Sequence, residues 1–457
     1  MEMKRSRYTA TVRQPDGSLV LYNTLTGAMV AIPGDSAVGF APYLSSRPVQ
    51  FATPTPEAEL LLEGGFCIPS SVDERIRVSS GYRERSDPRS QNLIILPTED
   101  CNFRCTYCYE RFPTGSMKPW VVEAIKLWVS KEVRHWDSLL VDWFGGEPLL
   151  GSEIIEDLSH HFIERCQAFG TKYSARIVTN GYLLTQDVSR MLLANSVRTI
   201  QITLDGLPDD HNRLKPLRGG GDTFQTVWQN AKQLLQLDED FSLSIRVNYD
   251  PQSIEAMPSF LDRLASLSAN DRRVTVFFRP VGRWGGPHDE MIDVCNDSQA
   301  TSRALNAQAL DKGMRISDAT NWLRLHGLVC YAADPHSIAI GADGVLHKCT
   351  VALYDERNAV GKMRPDGQME MDWDRFYMWT TSDGLTDAKC RTCFFEPACQ
   401  GAACVWKRIE KDQRPCPPAQ LDLKQLLTIA LRTYSNEQVC DGAHLASGDG
   451  KEVSTSD

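Results

Sequence analysis

The sequence predicts an α/β fold: an open six-stranded (β/α)6 partial TIM barrel, with a small N-terminal α+β domain before it and a cysteine-rich domain after it. Three observations carry this. From residue 91 short apolar runs alternate with longer amphipathic stretches, the texture of right-handed βαβ units on a parallel sheet. Polar and glycine-containing motifs stand at the ends of successive apolar runs, where ligands gather in such sheets. Cysteines concentrate in two regions, 101–108 and 330–416.

A chain of 457 residues is too long for one core and implies several domains. Its 42% apolar and 24% charged content is ordinary for a globular protein. The net charge of −10 argues against nucleic acid as the principal partner, because phosphate binding needs a basic field; it leaves room for a local basic patch facing one acidic peptide. The polar start, Met1-Glu-Met-Lys-Arg-Ser-Arg-Tyr8, has no apolar signal core, and no run nears the roughly 18 apolar residues of a membrane span. A cytoplasmic protein without a membrane partner is expected. There disulfides are disfavoured, so the 14 cysteines read as metal ligands. Cys67, Cys166, Cys295 and Cys440 stand apart and read as inert buried thiols.

Residues 1–85 form the first expected domain. Tyr8–Arg13 and Ser18–Tyr22 flank the turn sequence Gln14-Pro-Asp-Gly17, and Ala28–Ile32 completes a meander. Pro56–Glu63 has a helix pattern stopped at Gly64-Gly65. The charged stretch Arg75–Pro88 reads as a linker. Across 86–325 the expected strands are Leu93–Leu96, Leu139–Phe144, Ala175–Thr179, Thr199–Leu204, Leu243–Val247 and Val274–Arg279. Between them Pro119–Val133, Glu153–Phe169, Thr185–Asn195, Thr223–Leu237 and Ser253–Leu267 are expected helices. Six units fall short of the eight of a closed barrel.

The first strand runs into Cys101-Asn-Phe-Arg-Cys105-Thr-Tyr-Cys108-Tyr-Glu110. With 14 cysteines in 457 residues, both offsets fill by chance about 0.1% of the time, so the spacing carries more than the count. Three thiolates on one loop can hold three irons of a [4Fe–4S] cluster and leave the fourth open; a three-cysteine zinc site is the alternative. The stretch resembles the signature of the radical S-adenosylmethionine (SAM) enzymes. That resemblance implies that the free iron chelates SAM and that an electron from the cluster cleaves it to methionine and a deoxyadenosyl radical.

The strand-end motifs agree. Gly145-Gly146-Glu147-Pro148 follows the second strand, Thr179-Asn180-Gly181 the third, and Thr203-Leu-Asp205-Gly206 the fourth. By resemblance Gly145, Gly146, Glu147 and Pro148 face the SAM amino group. Thr179 and Asn180 face its ribose or carboxylate, Tyr107 lies near adenine, and Thr203 belongs to the same pocket. Asp205 and Arg213, at the mouth of the site in peptide-modifying members, are the candidate catalytic residues; a polar loop with its own hydrogen bonds is the competing reading. Gly282-Arg-Trp-Gly-Gly-Pro287 reads as a mobile loop between domains.

A second series runs Cys330, Cys349, Cys390, Cys393, Cys399, Cys404, Cys416. It resembles the seven-cysteine SPASM extension, which implies two auxiliary [4Fe–4S] clusters. By the family's ligation Cys330, Cys349 and Cys404 hold the inner cluster and Cys390, Cys393, Cys399 and Cys416 the outer one. The inner cluster is one thiolate short, with Asp334 and His336 nearby in sequence. Four residues separate Cys399 from Cys404 where the family commonly has three. Residues 326–420 are thus the expected SPASM domain, with Asn358–Gly367 hairpin-like; 421–457 is expected as a helix, Leu421–Thr433, and a disordered tail.

The resemblance implies a radical SAM/SPASM oxidoreductase that matures a ribosomally made precursor peptide. Its expected cofactors are SAM and three [4Fe–4S] clusters, and flavodoxin or ferredoxin would supply electrons. Auxiliary clusters suit a reaction with an electron to dispose of, which favours a C–C, C–O or C–S crosslink over peptide epimerisation. The N-terminal domain weakly resembles peptide-recognition elements fused to such maturases; a cap over the next domain is the other reading. Formylglycine formation on a sulfatase is less favoured, because Thr350 follows Cys349 where those relatives place an acid. An iron–sulfur redox carrier or sensor is the non-enzyme alternative.

Overall fold

The computed structural model describes residues 2–45, 48–50, 55–85, 89–268, 271–316, 325–381, 384–414, 416–417 and 423–441. The chain divides into two compact units. One comprises Met1–Arg85, Asp318–Cys330 and Ser382–Asp457; the other comprises Ser86–Ser317 and Tyr331–Thr381. The segment expected as one cysteine-rich domain is therefore shared between them, and the expected break at 325/326 is not where the chain divides. The tail from Gly442 lies outside the described residues. Among the described residues no helix is long and apolar enough to cross a membrane.

In the first unit β1 (Glu2–Arg5) is central to an antiparallel sheet, between β5 (Val49–Gln50) and β6 (Cys67–Pro69). The expected meander is present as β2 (Thr9–Arg13), β3 (Leu19–Asn23) and β4 (Met29–Ile32), paired in that order. At its first turn the Ser18 amide donates to Asp16 Oδ1 at 2.9 Å, and Gly17 takes the left-handed conformation with φ +86°. Pro56–Glu63 is a helix with proline in its first turn and Thr55 accepting from the Ala58 amide. Its core gathers Met3, Leu19, Leu21, Ile32, Leu61 and Phe66.

The expected linker is a helix, Glu74–Arg85. Val78 and Tyr82, one turn apart, are buried with Tyr8 and pack on Leu25 and Leu385. Two apolar positions at the right spacing were enough, although charged residues outnumber them. Arg75 of this helix pairs with the buried carboxylate of Glu396, and Thr24 donates to the Phe394 carbonyl.

The second unit is built on one ten-stranded sheet. Its parallel strands are β7 (Ser90–Ile95), β8 (Ser138–Trp143), β9 (Lys172–Val178), β10 (Val197–Thr203), β11 (Ser242–Tyr249) and β12 (Val274–Pro280), adjacent in sequence order. All match the expected runs within a few residues. Register places Leu93 beside Val141, Val141 beside Ala175, Ile200 beside Ile177, and Ile202 beside Ile245. These side chains are buried, as strands covered on both faces require. The sheet then continues beyond the expected set. β13 (Ser337–Ile340) joins β7 in parallel, and β14 (Val345–His347), β15 (Ala359–Met363) and β16 (Met369–Met371) follow antiparallel. The expected 358–367 hairpin is thus part of the central sheet.

Helices cover the parallel strands. Pro119–Glu132 buries Val121, Ala124, Ile125 and Val129, a three-and-four-residue stripe. Ser152–Phe169 buries Ile155, Leu158, Phe162 and Cys166 and stops at Gly170 with φ +73°. Gln186–Ala194, Phe224–Leu235 and Met257–Ser268 match expected helices. Pro208–Leu214 and Ser298–Asp311 are additional.

Candidate active site

Loops leaving the C-terminal ends of β7 to β11 converge, as the parallel topology requires. The segment Thr98–Asp100 lies so close to the loop after β8 that a Cβ on Gly145 would meet the Thr98 carbonyl oxygen at 2.2 Å. One on Gly146 would meet the Asp100 oxygen at 2.4 Å. Backbone bonds from Gly146 N to Thr98 O, 3.3 Å, and from Glu147 N to Asp100 O, 2.9 Å, close this contact. The glycines are needed for backbone approach to the cysteine segment, a reason additional to any ligand.

Glu147 is fully buried, and its carboxylate ties the loop after β8 to the loop after β9. Its Oε1 accepts from Leu149 N at 3.1 Å and Thr179 Oγ1 at 2.6 Å, and its Oε2 from Asn180 N at 2.7 Å. Asn180 in turn donates to Asn102 Oδ1 at 2.8 Å and lies 3.9 Å from Cys101 Sγ. So the loops after β8 and β9 grip the cysteine loop through side chains that sequence reasoning assigned to SAM alone. Pro148 opens a short 3-10 turn and is buried; Thr203 is the buried last residue of β10.

Beneath the loop lies a buried polar cluster. Tyr107 donates its hydroxyl to Asp205 and receives Asn248 Nδ2 at 3.0 Å and Lys215 Nζ at 3.4 Å. Asp205 also accepts from the Asn248 amide at 2.8 Å. Of the candidate catalytic residues, Asp205 has no exposed surface, while Arg213, its side chain 33% exposed, is bidentate to Asp250 at 2.8 and 3.1 Å. Both are held by partners outside the stretch, Asp205 by Tyr107 and Asn248 and Arg213 by Asp250, and Pro208–Leu214 is a helix where the competing reading had a loop with its own hydrogen bonds. Lys215 and Asn248 were missed; Asn248 sits near the end of β11, where the strand-end rule could have found it. The 282–287 loop packs against the cysteine segment, since a Cβ on Gly286 would lie 2.6 Å from the Cys108 oxygen. It is not an interdomain linker: both partners belong to the second unit.

Residues 95–264 match the model of the Radical SAM superfamily. The chain carries a radical SAM domain. Mycofactocin maturase MftC of Mycolicibacterium smegmatis is 24% identical over 327 residues, 68% of this chain and 77% of that one. GTP 3',8-cyclase of Campylobacter jejuni subsp. doylei is 29% identical over 169 residues, 36% of this chain and 48% of that one, so this chain spans about half of it. Among solved structures, native anSMEcpe with bound AdoMet and Cp18Cys peptide aligns with a TM-score of 0.56 at 17% identity, covering 77% of this chain and 99% of that one. That likeness establishes the shared fold.

Enzymes of this superfamily use SAM and a [4Fe–4S] cluster, and the cysteine loop fits that cluster chemically. Burial pushes the Cys101, Cys105 and Cys108 thiols up, Cys108 to about 12; Cys105 and Cys108 raise Cys101 further, and Cys105 raises Cys108. Acidic groups crowd the same loop: Glu147 raises Cys101, Asp205 raises Cys105, and Glu110 raises Cys105 and Cys108. Lys215 is the buried cation that opposes them at Cys105 and Cys108. Three adjacent thiolates in such a setting need metal charge to exist. Among the described residues no three His, Cys, Asp or Glu side chains gather tightly enough for a single ion; a cubane, with each thiolate on a different iron, asks for a wider spread. Glu110 is buried with Oε2 unpartnered, and burial, then Glu99 and Glu147, lift its carboxyl to about 8.

Of the seven later cysteines, Cys330, Cys390, Cys393, Cys399, Cys404 and Cys416 belong to the first unit and Cys349 to the second. Cys390 N donates to Asp387 Oδ1 at 3.0 Å, and Cys393 N to the Cys390 carbonyl at 2.9 Å. Burial first, then Asp387, Cys399 and Cys393, push the Cys390 thiol up to about 11, with Arg414 opposing. Arg414, paired with Asp387 at 2.7 Å, also has Cys390 and Cys416 as electrostatic neighbours. The four residues expected around the outer cluster thus share one neighbourhood. Cys330 N donates to the Ala402 carbonyl at 2.8 Å, which ties it to the turn between Cys399 and Cys404.

Proposed function

We propose that this protein is a radical SAM/SPASM maturase that installs an oxidative intramolecular C–C, C–O or C–S crosslink in a ribosomally made precursor peptide. The observation that carries the reading is the Glu147 node, which fastens the Gly145–Pro148 and Thr179–Gly181 loops to Cys101–Cys108 in a chain with a second cysteine series. MftC is named a maturase, and anSMEcpe is known with AdoMet and a peptide bound, which supports a peptide substrate. When bound, the cluster and SAM supply a carbon radical that removes a hydrogen atom from substrate. The chain's own residues set the stage. Cys101, Cys105 and Cys108 hold the first cluster; Gly145, Gly146, Pro148, Tyr107 and Thr203 wall the SAM pocket; Thr179 and Asn180 fix Glu147 and the loop. Cys330, Cys349 and Cys404, and Cys390, Cys393, Cys399 and Cys416, hold the auxiliary clusters, and flavodoxin or ferredoxin is the electron donor. Formylglycine formation is less well supported: Thr350, in the place of the acid, pairs its hydroxyl with Tyr331 at 2.8 Å.

Anaerobic reconstitution tests this. About 12 irons per chain are expected for three four-iron clusters, with 5'-deoxyadenosine formed on adding SAM and dithionite. A precursor peptide encoded nearby should lose two hydrogens by mass spectrometry. Iron bound without 5'-deoxyadenosine refutes the enzyme reading; exchange of one hydrogen in heavy water without mass change would make it an epimerase.

A further inference from the structure

The first unit contains a positively lined cavity of about 470 Å³, walled by Lys4, Arg5, Arg7 and Arg75 with Ser70–Glu74. Three of its four cations are held in place by backbone carbonyls. Lys4 Nζ donates to the carbonyls of Ser70 and Val72, at 2.9 and 3.1 Å. Arg5 donates to the Thr9 carbonyl at 2.7 Å, and Arg7 to that of Arg391 at 2.8 Å. Arg75 alone of the four is in an ion pair among the described residues, with Glu396.

The two carboxylates of the wall are turned to other work. Asp73 Oδ1 accepts from the Arg75 amide at 2.9 Å. Glu74, buried, accepts from the Ser6 hydroxyl and from the Arg7 amide at 3.0 Å. Three cations without carboxylate partners thus line one cavity of a chain whose net charge is −10. Each keeps N–H donors beyond those it spends on carbonyls, so an incoming carboxylate gains charge-assisted bonds without displacing a native pair.

We infer that this cavity binds an acidic peptide segment, its Asp or Glu side chains meeting Lys4, Arg5 and Arg7. That the ligand is a peptide rests on the maturase reading above; that it is anionic rests on the cavity alone. A site of this kind selects one acidic stretch while the protein's overall negative field repels others.

The test is fluorescence anisotropy of fluorescein-labelled hexaglutamate with the full, cluster-reconstituted chain, without SAM or reductant. Saturable binding that weakens as salt rises is expected. Arg7→Glu should weaken it about tenfold or more, and Arg7→Gln, which adds no charge beside Glu74, several-fold. Arg364→Glu, a charge reversal at an exposed arginine of the second unit paired with Glu370 at 3.2 Å, should bind as the parent does. Equal binding by parent and both Arg7 variants overturns the inference. So does displacement by inorganic phosphate at equal charge concentration, which would mean a small-oxyanion site. Because no SAM is consumed, failure here is distinct from failure to form 5'-deoxyadenosine.

Discussion

Replacing Glu147 separates a structural node from a ligand contact. In Glu147→Gln one oxygen remains for the Leu149 amide and the Thr179 hydroxyl, but an NH2 group now faces the Asn180 amide, donor against donor. An unsatisfied buried donor costs roughly 1–3 kcal/mol, so a loss of about 2 kcal/mol is expected. For a unit of this size that corresponds to a melting shift of about 4–8 °C. Glu147→Ala strands two backbone amides and should cost about 4 kcal/mol, a large part of a domain's roughly 5–15 kcal/mol. Thermal melts by circular dichroism, run on cluster-free protein so that neither iron nor SAM contributes, read this directly. If Glu147→Gln melts with the parent while KM for SAM rises, the residue is a SAM contact and the node argument is wrong.

Other outcomes follow from the same geometry. Burial holds the His211 imidazole down to about 3 from its ordinary 6.5, so the folded chain binds fewer protons than the unfolded one below pH 6.5. Stability should therefore fall as pH drops, by about 2 kcal/mol between pH 6.5 and 5, and urea midpoints should show this in the parent and not in His211→Gln. Gly286→Ala puts a Cβ 2.6 Å from the Cys108 oxygen and 2.8 Å from Tyr109 Cα, both backbone; it should lower iron content by about four per chain, and full retention would refute the packing argument. Removing residues 1–85 should reduce iron by about eight per chain, because six later cysteines share a unit with that segment; retention of about 12 irons would show those cysteines to be self-supporting.

The parallel strands were legible because burial on both faces leaves continuous apolar runs such as Leu93–Leu96, which few other structures need. The motif at each strand end was legible for the same topological reason. What sequence hid were features created by partners far away. Lys215 looks like one more polar loop residue until Tyr107, 108 positions earlier, is beside it. β13 is only four residues long, and its pairing to β7 joins segments some 245 residues apart, as the Asn92–Ser337 contact shows. The helix Glu74–Arg85 fails as a periodicity signal, because its partners Tyr8 and Leu385 decide which residues count as buried. Glu147 was found by its motif, but its three hydrogen-bond donors were not, since two of them sit on a different loop.

The first unit shows why the cysteine segment and the N-terminal 85 residues belong together. Between Gly384 and Arg414 regular structure is sparse: short turns at Cys390–Thr392 and Glu396–Cys399, and one helix, Val405–Lys411. Such a segment cannot bury enough of its own surface to offset the entropy of ordering it. Its order comes from outside. Glu396 is the clearest case, a carboxylate with no side-chain exposure whose charge is met by Arg75, with the Tyr8 hydroxyl 3.4 Å away. A buried carboxylate stripped of its cation is costly, typically about 3–5 kcal/mol. The helix bearing Arg75 is therefore a condition for Glu396 to sit between Cys393 and Cys399. Metal ligation would act on the same segment through its thiols, of which burial pushes Cys390 and Cys399 up. Order in the cysteine segment thus depends on the N-terminal residues, and because Arg75 lines the basic cavity, a peptide bound there would act on residues that already hold the cysteine segment in place.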